Sequence, residues 1–125
     1  MDGDGITAGV RRQYLSSVPA IHELSSGEVD AIMADVDVRD YAPGDVIARQ
    51  GEAGADLYIV ASGRADCTHV GVDGAVKTYQ AGEFFGERAL LLDGPEAPRD
   101  ATVTAATSVT VLVLAKAAYQ VRGSA

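Results

Sequence analysis

The chain has 125 residues, 47 % of them apolar and 22 % charged, with a formal net charge of −8. That balance fits one globular domain able to bury a core of its own. The acidic surplus argues against DNA or RNA as a partner, no apolar run is long enough to span a bilayer, and Cys67, the single cysteine, excludes an internal disulfide.

The start, Met1-Asp2-Gly3-Asp4-Gly5, is acidic and lacks the apolar centre of a signal peptide, so a soluble cytoplasmic protein is expected. Residues 1–10 are expected to form a flexible segment and residues 11–125 the domain. Arg11 to Ser17 predicts a short helix that turns Tyr14 and Leu15 inward. Arg11 and Arg12 read as its solvated start. Pro19 breaks the chain. Ser25-Ser26-Gly27-Glu28 then reads as a capping box, with Ser at the cap and Glu three residues on. Val29, Ile32, Met33 and Val36 follow at the spacing of an amphipathic helix, with Met33 as core filler.

From Asp37 the period changes to that of strands. Candidates are Val36–Tyr41, Val46–Gln50, Leu57–Ser62, Ala65–Val70, Ala75–Gln80, Ala101–Ala105 and Val109–Ala115. Gly-rich turns separate them, as in a sandwich or barrel. Asp56 and Glu52 read as solvated turn residues, and Tyr58 and Tyr79 as core with a wet hydroxyl. Cys67 reads as a buried, inert thiol. His22 and His69 lack partners at metal spacing, so no metal is expected.

One stretch carries chemistry: GEFFGERALLLDGPEAPRDATVTA, from Gly82 to Ala105. Gly86 has no Cβ and permits close backbone approach. Amides opening the short helix Glu87-Arg88-Ala89-Leu90-Leu91 point outward, as suits a phosphate. Arg99 supplies a fixed charge and a planar fork of donors. Glu87 supplies an acceptor suited to a sugar hydroxyl.

Phe85-Gly86-Glu87, then Ala89-Leu90, then Pro98-Arg99 and Ala101-Thr102-Val103, resemble the phosphate-binding cassette of cyclic nucleotide-binding domains. The type is that found in the regulatory parts of cAMP- and cGMP-dependent protein kinases. The resemblance implies a ligand-binding set of Phe85, Gly86, Glu87, Arg88, Ala89, Leu90, Arg99, Asp100 and Ala101. Within it Glu87 would take the ribose 2′-hydroxyl and Arg99 the cyclic phosphate. The backbone of Gly86, Arg88, Ala89 and Asp100 would complete the cradle. Pro43-Gly44, Gly51, Gly63 and Gly82 fall where the family turns its barrel corners. The expected fold is therefore a mainly β jelly roll of roughly eight strands with flanking short helices.

The chain departs from the family pattern in three places. The loop between Leu90 and Arg99 is longer. Asp100 stands where cAMP sites commonly have Ala and cGMP sites Thr or Ser. The family's longer terminal helix, which carries a lid over the base, is not recognisable after Arg122, so the lid is expected from elsewhere or from a longer chain.

The expected function is a regulatory module that binds cAMP or cGMP, with no metal or other cofactor, and controls a protein kinase catalytic domain through helix rearrangement. The alternative is a degenerate fold that binds another nucleoside or nucleotide, or serves protein docking. Asp100 and the longer loop point to it. An enzyme acting on a phosphoester is disfavoured: the sequence offers no nucleophile–base pair, metal cluster or P-loop.

Overall fold

The structure is a computed structural model that describes residues 8–54, 56–91, 98–99 and 101–121, with 88, 89 and 121 described by backbone alone. Three helices come first: α1 (Ala8–Ser16), α2 (Pro19–His22) and α3 (Ser26–Met33). Strands β1 (Asp37–Tyr41), β2 (Val46–Ala48), β3 (Leu57–Ser62), β4 (Arg64–Thr68), β5 (Lys77–Gln80) and β6 (Phe84–Phe85) follow. After them come α4 (Glu87–Leu91), β7 (Thr102–Ala105), β8 (Val109–Leu114) and α5 (Lys116–Val121). No helix among the described residues is long and apolar enough to cross a membrane.

Two antiparallel sheets, β1-β8-β3-β6 and β2-β7-β4-β5, make the jelly roll. They do not close into one continuous barrel. The apolar runs of β3 and β8 explain how the layers meet. In β3, Leu57 and Ile59 pack toward the helices, against Leu15, Ile21 and Ile32. Tyr58 and Val60 alternate with them and pack toward the second sheet, with Ala65, Cys67 and Val103. β8 does the same, with Leu112 and Leu114 on the helix side and Val109, Val111 and Val113 between the sheets. A strand covered on both faces is apolar along most of its length, not at every second position. Each such side chain contributes about 1.5–3 kcal/mol by leaving water.

The helical end is built as its sequence dictates. Ser25 Oγ accepts from the Glu28 amide at 3.2 Å, and Glu28 Oε1 accepts from the Ser25 amide at 3.0 Å. Val29 and Ile32 are buried, and Met33 and Val36 pack against them. Some expectations change. α1 begins at Ala8, inside the stretch expected to be flexible. Pro19 opens a helix as well as breaking one, because its missing N–H costs nothing in a first turn. Arg12 is not merely solvated. It pairs with Asp30 and donates to the Ser26 carbonyl and hydroxyl, at 3.2 and 2.9 Å, tying α1 to α3.

Most strands are shorter than the sequence predicts, while β3 has the expected bounds, Leu57–Ser62. β4 stops at Thr68 and β5 starts at Lys77, leaving Val70, Val72 and Val76 exposed on the hairpin between them. β2 stops at Ala48 after a register shift. The Gln50 amide then donates to the side chain of Thr102, Oγ1, at 2.9 Å rather than to a backbone carbonyl of β7. β6 was not expected, since two residues carry no periodicity. It forms because Phe84 and Phe85 pair with Ile59 and Tyr58.

Candidate functional site

The stretch after β2 and the stretch before β7 are zipped together. The Gly51 amide donates to the Arg99 carbonyl and the Arg99 amide to the Glu52 carbonyl, both at 2.8 Å. Ala53 and Pro98 form an isolated bridge beside them. Arg99 is thus fixed by its backbone in the wall of a hollow of about 170 Å³. Ile47, Ala48, Arg49, Asp56 and Tyr58 also line it.

The Arg99 side chain is half-buried. Its Cζ lies 5.4 Å from the centre of the Tyr58 ring, and Nη2 makes a long contact of 3.5 Å to the Asp56 carbonyl. Among the described residues no carboxylate lies within ion-pair distance of it. Arg49, the other cation of the hollow, is exposed and reaches Glu52 at 3.6 Å. A half-buried guanidinium without a carboxylate partner, in a chain of net charge −8, is suited to an anion.

Tyr58 is more than a core aromatic. Its ring stacks on Phe85 with centroids 4.9 Å apart, and Phe85 meets Tyr79 at 5.0 Å. Burial raises the Tyr58 hydroxyl above its ordinary pKa; the charge of Arg99 pulls it back, and Asp56 and Tyr41 push it up. The phenol is therefore neutral at physiological pH and presents an uncharged, electron-rich face to the guanidinium.

Gly86 is required by the packing of the backbone beside it. Its φ is +91°, and a Cβ there would overlap the Asp56 carbonyl oxygen and stand 3.4 Å from the Leu57 Cα. The missing side chain makes room for the backbone entering β3. Phe85 and Leu90 are buried and Ala101 is half-buried against the inter-sheet core. The Leu90 amide donates to the Gly86 carbonyl at 3.3 Å, within the cassette itself. Arg88 and Ala89 contribute backbone to α4. Asp100 lies outside the described residues.

Glu87 does not line the hollow. Its Oε2 accepts from the Ala20 amide at 2.8 Å, across 67 residues of sequence. The local cause is plain. α2 opens with Val18, whose side chain makes no cap bond, and then Pro19, which has no N–H. Ala20 therefore carries the first orphan donor of the helix, and a carboxylate is its natural acceptor. The Ala20 carbonyl in turn accepts from the Tyr119 hydroxyl of α5 at 3.1 Å. One residue of α2 is thus held by α4 on one side and α5 on the other.

The sequence reading missed Gly54, Tyr58 and the Asp56 carbonyl as parts of the site. A signal existed in Gly51-Glu52-Ala53-Gly54, where two glycines bracket one turn. Only Gly51 has a positive φ, +88°, so Gly54 is there for another reason.

The profile of the family described as "Cyclic nucleotide-binding domain" matches residues 38–120. The chain belongs to this family. It is 40 % identical over 113 residues to a cAMP-dependent protein kinase regulatory subunit of Pyricularia oryzae, covering 88 % of this chain and 28 % of that protein. It is also 40 % identical over 94 residues to a cGMP-dependent protein kinase of Eimeria tenella, covering 75 % of this chain and 9 % of the kinase. Among solved structures, the regulatory domain of Toxoplasma gondii PKA with cAMP superposes with a TM-score of 0.74 at 32 % identity, over 94 % of this chain and 46 % of that one. The chain thus spans less than a third of the length of the curated relatives named here. Family membership accounts for the jelly roll.

Proposed function

We propose that this domain is a regulatory module that binds a cyclic nucleotide, cAMP or cGMP, with Arg99 as partner of the cyclic phosphate. The observation that carries the reading is the Arg99 guanidinium, fixed in the wall of the hollow with no carboxylate partner among the described residues. The kinase regulatory relatives support it. The role proposed is binding rather than catalysis, and the proposed partner is a protein kinase catalytic domain.

The mechanism is a population shift. Glu87 holds the α2 amide of Ala20, and a ribose hydroxyl in the cassette would claim the same carboxylate. A ligand that binds better once Glu87 has turned inward biases the packing of α2 and α5, which share Ala20. The size of the hollow fits this order of events. At about 170 Å³ it is smaller than most small-molecule pockets, which run to roughly 300 Å³ or more. It accepts a phosphate and part of a sugar before the cassette moves.

A second reading is favoured by the position of Glu87, whose carboxylate is engaged with the Ala20 amide: a domain of the same fold that binds another nucleoside or nucleotide. Thermal-shift measurements with cAMP, cGMP and inosine separate the two. Stabilisation by a cyclic nucleotide and none by inosine is expected. Stabilisation by inosine alone would establish the second reading instead.

A further inference from the structure

The Arg99 guanidinium is bounded by three groups that all come from the segment between β2 and the start of β3. A Cβ built on Gly54 would overlap Arg99 Nε and stand 2.7 Å from both Cζ and Nη2. The Tyr58 ring lies 5.4 Å from Cζ. The Asp56 carbonyl faces Nη2. Gly54 has no positive φ, so its backbone does not call for glycine. The space that a side chain would occupy is taken by the charged end of Arg99.

We propose that Gly54 and Tyr58 are positioning residues for Arg99, and that together they set where its fork of donors points. Gly54 does so by absence of bulk. Tyr58 does so by offering an aromatic face that attracts the cation and limits its rotation. A long flexible side chain loses less freedom on binding an anion when it is already held in place. The requirement for glycine at residue 54 is thus a requirement of the ligand site and not of the turn. This inference rests on the reading of Arg99 as the phosphate partner.

The choice of atoms makes the idea testable. The three atoms nearest to an alanine Cβ at residue 54 all belong to the end of the flexible Arg99 side chain, and the backbone there needs no left-handed conformation. Gly54→Ala therefore leaves the fold intact and displaces the guanidinium. The experiment is a double-mutant cycle on the full chain, titrated with cAMP at fixed salt, using Gly54→Ala, Arg99→Ala and the pair. Gly54→Ala is expected to weaken binding by about tenfold, the scale of one hydrogen bond to a charged group. In the Arg99→Ala background the same change is expected to cost little. Tyr58→Leu removes the aromatic face and is expected to weaken binding, and Tyr58→Phe, which keeps that face, is expected to lose less than Tyr58→Leu.

Equal losses from Gly54→Ala in both backgrounds, or no loss in either, would overturn the proposal while leaving Arg99 as the phosphate partner. An Arg99→Ala protein that binds like wild type would overturn the reading of Arg99 itself. A readout without ligand keeps the two apart. The Arg99 Nε–H resonance, identified by its disappearance in Arg99→Ala, is expected to move in Gly54→Ala as the guanidinium leaves the Tyr58 ring. An unmoved resonance contradicts the positioning role whatever the titrations give.

Discussion

Glu87 and Arg99 belong to one motif, but they face different parts of the molecule. Arg99 stands in the wall of the hollow, over Tyr58, with no carboxylate partner among the described residues. Glu87 stands at the helical end, with its carboxylate on the first orphan amide of α2. The motif therefore joins a guanidinium with no carboxylate partner among the described residues to a carboxylate engaged in packing the helices. The difference suggests how binding could be reported elsewhere. A ligand that needs both residues must take one of them away from the fold.

The largest effect is expected where the two halves meet. Gly86 has a φ of +91° and lies against the Asp56 carbonyl. Gly86→Ala combines left-handed strain with overlap against backbone that cannot yield. We expect a stability loss of more than about 2 kcal/mol, read by denaturant unfolding. A loss near zero would mean that the β3 entry and the cassette are not locked together at this point.

Next in size are the two bonds that hold Ala20. Glu87→Ala removes the acceptor capping α2, and Tyr119→Phe leaves the Ala20 carbonyl without its hydroxyl partner. Each is expected to cost about 1 kcal/mol in chemical denaturation. The comparison is sharpened by a 2′-deoxy cyclic nucleotide. It should bind more weakly than its parent to wild type, and nearly as well as its parent to Glu87→Ala, because both changes delete one shared contact. Additive losses would show that Glu87 stays with Ala20 when ligand is bound.

Much of this was legible in the sequence. Strand alternation and the glycines between strands gave a sandwich or barrel, the capping box at Ser25 gave α3, and the family resemblance narrowed the fold to a jelly roll. The ordered run from Phe85 to Val103 gave the cassette and its basic residue. The partners of that run were not legible. Tyr58, Asp56 and Gly54 reach Arg99 only because β2 and β7 pair, and Ala20 reaches Glu87 only because the helices fold back onto β3 and β8. Local periodicity carries no information about such contacts. Gly54 was hidden for a further reason. Glycine in a turn is ordinarily explained by its backbone, and here it makes room for a side chain.

A smaller effect is expected at Asp100. Beside a bound cyclic phosphate its carboxylate would repel by about 1 kcal/mol in water, and more where solvent is excluded. Asp100→Ala is expected to tighten cAMP binding by roughly this amount, a few-fold. Loss of cGMP binding with cAMP unchanged would instead make Asp100 a reader of the base.

The smallest effect concerns Tyr58. Burial raises its pKa above the ordinary value of 10.0, so the folded chain holds that proton more tightly than the unfolded chain. Its contribution is fully present below about pH 10 and is lost as pH rises through the raised value. Tyr58→Phe should flatten the decline in Tm on the alkaline side and leave the neutral range unchanged. An identical decline in the variant would place the alkaline loss on other groups.

The central claim is that Arg99 is the anion partner of this domain. Calorimetric titration of cAMP into wild type and Arg99→Ala, at one fixed salt concentration, tests it most directly. An affinity loss of about tenfold or more is expected in a variant whose Tm is unchanged, in keeping with the removal of hydrogen bonds to a charged group. Equal affinity in a folded Arg99→Ala protein would contradict it.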